Sequence, residues 1–302
     1  MSDCLLHATK FMEFVMAERT PEDCLFHVIP VPYEATVCYG RGTADGPSAL
    51  LGASNFIETW DGRGFSIVES GIYTAPAVDC TGRAEEVLAN ISLAVTTALD
   101  HGAIPVLLGG EHTVSLGALK ALHSRYGSFG IVQFDAHGDL RDEFDGDRFN
   151  HGCVMRRGVE LGLSLFQVAV RNISPEDMEA RELFKVGHLD ADELYELGGL
   201  GALREPGFSL LPPDFPEDIY ITFDVDGLDP SLMPSTGTPD PGGLTWYEAK
   251  RLLDLVVPGR QVLGFDVVEL APLSGLNGPN FTAAKLARDI MARIIYDGIA
   301  SR

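Results

Sequence analysis

Short apolar runs alternate along the chain with longer segments whose apolar residues recur every three to four positions. The short runs are typical of buried strands, which we predict at residues 26–31, 104–108, 130–134, 165–170, 219–223 and 262–267. The longer segments have the spacing of amphipathic helices, which we predict at residues 84–101, 116–125, 175–183 and 245–256. The alternation predicts an α/β fold with three layers, α/β/α, in which helices cover both faces of a mainly parallel central sheet.

Two helix starts can be recognised from local sequence. Pro47 follows Gly46 at the beginning of an apolar segment, and proline is favoured in the first turn of a helix. Thr245 is followed three residues later by Glu248, which is the spacing of a capping box. Both features are structural signals and carry no chemistry of their own.

The predicted strand at 130–134 leads into two carboxylates and an imidazole at alternate positions, Asp135, His137 and Asp139. Alternate residues of an extended chain project to the same side, so these three side chains can converge at the carboxyl end of the strand. Two ionised carboxylates held together would repel each other, and a divalent cation between them removes that repulsion. The pattern indicates a metal site.

Two other predicted strands end in the same kind of residue. Asp224 and Asp226 follow the strand at 219–223, and His112 follows the strand at 104–108 after a pair of glycines. In a parallel sheet, ligands bind outside the carboxyl ends of the strands. The candidate metal ligands at this edge are His112, Asp135, His137, Asp139, Asp224 and Asp226.

This set of two imidazoles and four carboxylates has more ligands than one ion would use. A catalytic zinc site uses about three protein ligands, whereas mixed sites rich in oxygen suit manganese or a similar ion. We therefore predict two divalent ions bridged by shared carboxylates. Four carboxylates balance two divalent ions, and an added hydroxide would leave the cluster negative and attractive to a cation.

A calcium loop is the nearest alternative for residues 224–229. It fails on spacing, because Gly227 comes fourth and Ser235 stands where such a loop needs a bidentate glutamate. Asp229 is expected to brace this loop.

The bulk composition narrows the classes of partner. The chain has 302 residues, is 45% hydrophobic, and contains no linker or repeat that would divide it, which favours a single domain. Its net charge of −22 argues against nucleic acid or an anionic membrane as a partner and favours a small cationic substrate. The alternative is that the acidic surface serves solubility alone.

The cysteines and the absence of long apolar runs bear on location. Five cysteines without a Cys-x-x-Cys pair are typical of reduced thiols, and we expect a cytoplasmic protein. No run approaches the length of about 18 apolar residues that a membrane span needs, so we expect no membrane partner.

The motifs at these strand ends resemble the signature blocks of the ureohydrolase family, the arginases and agmatinases, which hydrolyse guanidino compounds to urea and an amine at a two-manganese centre. The matching blocks lie, in order, at residues 31–33, 40–47, 109–112, 135–139, 223–230, 236–239 and 242–245. The resemblance covers roughly residues 26–300. It implies an arginase-like fold with an N-terminal extension at residues 1–25 and a single ureohydrolase domain at residues 26–302.

Carried over by position, the resemblance implies two Mn²⁺ ions per chain, bridged by Asp135 and Asp224. Water bound between two cations has its pKa lowered towards neutrality. Nickel and cobalt accept similar ligands, so the native metal stays open. The ligands of one ion would be His112, Asp135, Asp139 and Asp224, and those of the other would be Asp135, His137, Asp224 and Asp226.

The resemblance also implies three catalytic residues. Glu269 matches the glutamate that pairs with the substrate guanidinium, where a carboxylate can accept two parallel N–H bonds. His151 matches the histidine at the mouth of the site, and its ordinary pKa near 6.5 suits a carrier of a proton to the leaving amine. Asp226 is a second candidate for this proton transfer. Glu111, beside the ligand His112, is expected to be structural.

The loop at residues 140–150 bears on the choice of substrate. It contains four acidic residues and two arginines, and an acidic lining would suit the free ammonium of agmatine, whose products are putrescine and urea, a step of polyamine biosynthesis. Arg141 or Arg148 could instead receive the carboxylate of guanidinobutyrate.

Other readings stay open at this stage. The substrate could be aminopropylagmatine, guanidine or arginine. The chain could also be a catalytically silent binding or regulatory member of the fold, or a single-zinc deacetylase on a related sheet, although no metal position is lost. The family resemblance further implies a homo-oligomer, a trimer or hexamer.

Overall fold

The computed structural model describes residues 10–15, 19–60 and 66–298. The strands are β1 (Phe26–Val31), β2 (Ile72–Thr74), β3 (Ile104–Gly109), β4 (Gly130–Phe134), β5 (Ser164–Val168), β6 (Gly187–Leu189), β7 (Asp218–Asp224) and β8 (Gln261–Val268). The helices are α1 (Gly46–Ser54), α2 (Ala84–Asp100), α3 (Ser115–Tyr126), α4 (Val154–Glu160), α5 (Pro175–Phe184), α6 (Ala191–Leu197), α7 (Trp246–Val256) and α8 (Gly278–Arg293).

The eight strands form one sheet in the order β2-β1-β3-β8-β7-β4-β5-β6. Every strand pair in it is parallel. The six predicted strands and four predicted helices are confirmed, with ends displaced by a few residues. The strands β2 and β6 were not predicted, because each has only three residues and shows no periodicity.

Helix α8 was missed for a different reason. Its buried positions include Arg288, Asp289 and Arg293, which interrupt the apolar pattern. These charges are paired: Arg288 Nη1 lies 2.7 Å from Asp289 Oδ1, and Arg293 Nε lies 2.8 Å from Asp254 Oδ1. Buried charges are tolerated when they are paired and hydrogen-bonded. The buried side of this helix therefore contains charged residues, and its sequence lacks the apolar periodicity that would predict a helix.

Apolar side chains from alternate strand positions build a separate core on each face of the sheet. In β4, Ile131 belongs to the core that includes α2 and α3, whereas Val132 and Phe134 belong to the core that includes α7 and α8. The ring of Phe134 stacks on that of Phe223 in β7 with centroids 4.8 Å apart. The predicted three-layer α/β/α arrangement is confirmed.

The capping box predicted at the start of α7 is present. Thr245 Oγ1 accepts a hydrogen bond from the Glu248 amide at 3.3 Å, and Glu248 Oε2 accepts one from the Thr245 amide at 2.9 Å. Helix α1 begins at Gly46 with Pro47 in its first turn, as predicted.

Part of the segment before β1 packs against the core. Phe11 and Met12 are fully buried, and the Met12 amide donates to Ser54 Oγ at 2.8 Å. Residues 1–9 and 16–18 of the predicted extension lie outside the described residues. The division into residues 1–25 and 26–302 stays a prediction.

The strand order brings four chain-distant strands together at the centre of the sheet. β3, β8, β7 and β4 are consecutive neighbours, and register pairs Phe134 with Phe223 and Asp224 with Val268. Their carboxyl ends therefore meet at one edge. Among the described residues, no helix is long and apolar enough to cross a membrane.

Candidate metal centre

The six predicted metal ligands meet at the carboxyl ends of the central strands. His112 begins a short 3-10 turn after β3, Asp224 ends β7, and Asp226 lies in the following turn, Val225–Gly227. The remaining three follow β4. Five of the six side chains are buried, and His137 is 24% exposed. The six side chains thus converge at one edge of the sheet, as the strand ends predicted.

One group of potential ligands surrounds Nδ1 of His112. This nitrogen lies 3.1 Å from Asp135 Oδ2, 3.0 Å from Asp139 Oδ2 and 3.5 Å from Asp224 Oδ2. His112, Asp135 and Asp224 offer ligand atoms that all lie within 4.8 Å of one another. Three carboxylates and an imidazole thus point at one small volume.

A second group surrounds Nδ1 of His137, which lies 3.0 Å from Asp226 Oδ2 and 3.5 Å from Asp135 Oδ1. Asp135, His137 and Asp226 also offer atoms within 4.8 Å of one another. The two oxygens of Asp135 therefore face different imidazoles, as a bridging carboxylate must. Asp224 belongs to the first group alone, so its bridging role stays a prediction.

The hydrogen bonds of His112 test whether this donor set fits a cation. Thr222 Oγ1 donates to Asp266 Oδ1 at 2.7 Å, so its proton is committed and it accepts from Nε2 of His112, 2.8 Å away. Nδ1 is buried and has no hydrogen-bond partner, and in a neutral His112, the form that binds a metal ion, it carries a lone pair. A lone pair that faces three carboxylates is repulsive until a cation lies between them, so the residues fit a metal ion.

The pKa values of the carboxylates also indicate that this site suits a cation. Burial and the charge of Asp135 raise the pKa of Asp139 to about 7. Burial and the charge of Asp226 raise the pKa of Asp224 well above its ordinary value. The carboxylates need positive charge, which a divalent ion supplies.

Two site residues hold strained backbone conformations. The φ angles of Asp139 and Glu269 are 52° and 64°, in the left-handed region that residues other than glycine seldom adopt. Such strain costs about 1–3 kcal/mol and is concentrated at functional sites. The Glu269 amide donates to Gly110 O at 2.8 Å, which holds the end of β8 against the end of β3.

Glu269 and His151 line the same pocket as the potential ligands. Glu269 Oε1 accepts a hydrogen bond from the His112 amide at 2.6 Å. Burial raises the pKa of Glu269 well above its ordinary value, with a further contribution from the charge of Glu111. His151 begins a short turn, His151–Cys153, and Asp226 lines the same pocket. All three predicted catalytic residues thus reach one pocket.

Glu111 is fully buried and accepts four hydrogen bonds. Its Oε2 accepts from the amides of Ala35 and Thr36 at 2.6 Å and 2.7 Å, and its Oε1 accepts from the hydroxyls of Thr36 and Thr113, both at 2.8 Å. Thr36 Oγ1 lies 3.0 Å from His151 Nδ1. Glu111 thereby fixes the loop that contacts His151, which supports the structural role expected for it.

Sequence reasoning did not identify two features of the site, one that lines the pocket and one that supports it. The backbone at residues 37–40 lines it, and the Gly40 amide donates to Gly237 O at 3.0 Å. A Cβ at Gly40 would lie 2.7 Å from that same oxygen, so glycine is required there. Arg171, outside every motif, donates to Asp226 O at 2.6 Å and Asp240 O at 2.7 Å, and so braces the turn that carries Asp226. In the sequence, only the signature block that begins at Gly40 could have indicated the backbone at residues 37–40.

The pocket continues outwards into a cavity of about 240 Å³ that His137, Asp139 and His151 also line. The loop at residues 140–150 lies wholly in the described part of the chain, and it contributes Arg141 and Phe144 to this lining. None of its four carboxylates lines the cavity. The prediction that this loop gives the substrate site an acidic lining is therefore wrong.

The partners of the acidic residues explain the error. Asp142 is paired with Arg157 and with Arg148, whose Nη2 is 2.9 Å away, and Asp147 accepts from the Phe149 amide at 2.7 Å. Glu143 and Asp145 are exposed to solvent. Arg148 is thus committed to carboxylates of the protein, whereas Arg141 lies beside the cavity with its guanidinium carbon 4.7 Å from the centre of the Phe144 ring.

Comparison with known proteins places this geometry in a family. The model of the Arginase family matches residues 25–293. The chain is 36% identical to an N(1)-aminopropylagmatine ureohydrolase of Synechocystis sp. over 277 residues, which cover 89% of both chains. It is 31% identical to an agmatinase of Pyrococcus horikoshii over 93% of this chain and 96% of that protein.

A solved structure agrees with these relatives. The agmatine ureohydrolase of Thermoplasma volcanium superposes with a TM-score of 0.79 at 27% identity, over 93% of this chain and 96% of that one. The resemblance inferred from the motifs is confirmed, and the chain belongs to the arginase family.

Proposed function

We propose that this protein hydrolyses the guanidino group of agmatine to putrescine and urea with two Mn²⁺ ions per chain. The observation that carries the proposal is the position of Asp135. Its Oδ2 lies 3.1 Å from Nδ1 of His112 and its Oδ1 lies 3.5 Å from Nδ1 of His137, so each oxygen faces a different group of potential ligands. Membership of the arginase family and the relatives named for agmatine and aminopropylagmatine support it.

We assign the ligands as two overlapping sets that share Asp135 and Asp224. When bound, the ions supply positive charge that lowers the pKa of water and polarises the substrate. One set is His112, Asp135, Asp139 and Asp224, and the other is Asp135, His137, Asp224 and Asp226.

In this proposal Glu269 orients the substrate. Its Oε1 is already held by the His112 amide, which fixes the carboxylate plane, and both oxygens keep lone pairs for the guanidinium N–H groups. A guanidinium paired there would lie between Glu269 and the metal ligands, because Asp224, Asp226 and Glu269 line one narrow pocket.

His151 would carry a proton to the leaving amine, and the contacts around it define its tautomer. The Thr36 hydroxyl donates to Glu111 Oε1 at 2.8 Å, so its oxygen must accept from Nδ1 of His151, 3.0 Å away. Neutral His151 then carries its proton on Nδ1 and presents the lone pair of Nε2. That lone pair can take a proton and deliver it to nitrogen. Asp226 is the second candidate for this transfer.

Aminopropylagmatine is a second candidate substrate, favoured by the outer cavity. The volume of this cavity, about 240 Å³, leaves room beyond the guanidino pocket for a chain longer than that of agmatine. The relative from Synechocystis is named for that substrate. Arg141, which also lines this cavity, instead favours a carboxylate such as that of guanidinobutyrate. The net charge of −22 favours the cationic substrates.

Cytoplasmic location and assembly into a trimer or hexamer stay predictions of the sequence. So does the absence of a nucleic acid or membrane partner.

The shared ligands give the first test. Replacing Asp135 or Asp224 with asparagine should abolish manganese binding and urea release together, because one carboxylate serves both ions. Bound manganese is measured by elemental analysis after desalting. Asp79→Asn, an exposed aspartate elsewhere, is the matched control and should bind metal as the native protein does. Full activity with unchanged metal content in Asp135→Asn would refute the assignment.

The role of His151 is tested by replacing it with asparagine. The variant should keep its manganese and lose turnover by about 100- to 10,000-fold, the usual contribution of a general acid or base. His123→Asn, on the C-terminal turn of α3, should leave turnover unchanged. If His151→Asn lost its metal instead, the side chain would be a ligand rather than a proton carrier.

The substrate is tested by urea release from the manganese-loaded protein with agmatine, aminopropylagmatine, guanidinobutyrate, arginine and guanidine. We expect the highest kcat/KM for agmatine. A preference for aminopropylagmatine would assign the outer cavity to the longer chain, and a preference for guanidinobutyrate would assign Arg141 to a carboxylate. Bound manganese without urea from any of them would contradict the proposed reaction.

A further inference from the structure

A line of buried polar side chains runs from helix α5 along one face of the sheet to Asp135. Arg181 Nε donates to Gln167 Oε1 at 2.7 Å, Gln167 Nε2 donates to Gln133 Oε1 at 2.6 Å, and Gln133 Nε2 donates to Asp135 Oδ2 at 2.7 Å. Gln133 and Gln167 are paired directly across β4 and β5. Both glutamines are fully buried, and Arg181 is 4% exposed. No signature block includes Gln133, Gln167 or Arg181.

The direction of these hydrogen bonds is fixed at the arginine. A guanidinium can only donate, so Gln167 must present its carbonyl oxygen to Arg181 and its NH₂ group to Gln133. Gln133 must then turn its own NH₂ group towards Asp135. Arg181 is itself held by Asp190, whose two oxygens each accept from the guanidinium at 2.8 Å.

The line ends on one particular oxygen of the carboxylate. Gln133 donates to Oδ2 of Asp135, which faces His112 Nδ1 at 3.1 Å. The other oxygen, Oδ1, accepts from the His137 amide at 2.7 Å. Each oxygen therefore has its own donor, and the carboxylate plane is fixed between the two groups of potential ligands.

Two glutamines in the middle of a buried sheet need an explanation. A buried amide without partners costs free energy, and apolar residues would fill these positions without that requirement. Here the amide donors and acceptors form a connected line that ends on a ligand of the candidate centre. Residues that orient a metal ligand in this way commonly change metal affinity about 10- to 100-fold.

We propose that Arg181, Gln167 and Gln133 are positioning residues for Asp135 and set the affinity of the ion held on the His112 side. This inference rests on the proposed two-metal function. The relay, defined as these three side chains, keeps Oδ2 of Asp135 aimed at that ion. On the His137 side it makes only a longer contact, from Gln133 Nε2 to the backbone oxygen of His137 at 3.4 Å.

The direct test replaces Gln133 with leucine and titrates the metal-free protein with Mn²⁺ alone, following free Mn²⁺ by electron paramagnetic resonance. Leucine removes the donor to Asp135, while Gln167 Nε2 keeps a partner in Gly138 O at 2.6 Å. We expect one of the two binding steps to weaken about 10- to 100-fold and the other to change less.

A remote variant tests the relay without touching Gln133 or Asp135. In Gln167→Glu the side chain still accepts from Arg181 but can no longer donate to Gln133 or to Gly138 O, so Gln133 must turn its NH₂ group towards the new carboxylate. The carbonyl oxygen of Gln133 would then face Asp135. We expect the same binding step to weaken, although the altered residue does not contact Asp135.

Val132→Ala is the matched control, because Val132 is the buried neighbour of Gln133 on the opposite face of β4. It should lower the free energy of unfolding and leave both manganese steps unchanged. Native affinity in both glutamine variants would overturn the relay, as would an equal loss of affinity in Val132→Ala. A native protein that binds fewer than two ions would instead overturn the proposed function.

Discussion

The repulsion among four aspartates at one edge of the sheet is the constraint on which the rest of the site depends. Asp135, Asp139, Asp224 and Asp226 are buried around the imidazoles of two histidines: Nδ1 of His112 lies within 3.5 Å of the first three, and Nδ1 of His137 lies 3.0 Å from Asp226. Buried charges of one sign cannot remain together without compensation. The sheet creates the problem by placing β4 beside β7, and cations supplied at that edge would resolve it.

The surrounding hydrogen bonds orient several of these groups towards the place where a cation would bind. Asp266 and Thr222 place the proton of His112 on Nε2, so that Nδ1 faces the carboxylates as a lone pair. The relay from Arg181 fixes one oxygen of Asp135, and Glu111 fixes the loop that holds His151. All of these supporting groups are buried, which strengthens their hydrogen bonds and preserves their orientation.

The sequence was sufficient for the fold class and for the edge where the candidate ligands gather, because the strands are recognised by their periodicity and the candidate ligands follow directly after them. Parallel strands end at one edge of the sheet, which brings the ends of β4 and β7 together. Asp139, with its left-handed backbone, and Asp226, in a 3-10 turn, reach the site through local turns and not through the alternation of an extended chain. The acidic loop was misjudged because composition does not reveal that Asp142 is paired with arginines of the protein. Gln133 and Gln167 were overlooked because their significance lies in a cross-strand pairing, which depends on the order of strands in the sheet.

The most direct test of this account is the anomalous scattering of manganese in crystals of the metal-loaded protein. The account predicts two peaks per chain, one between His112 Nδ1 and Asp135 Oδ2 and one between His137 Nδ1 and Asp135 Oδ1. A single peak, or two peaks that do not share Asp135, would contradict the bridged centre on which the proposed hydrolysis rests.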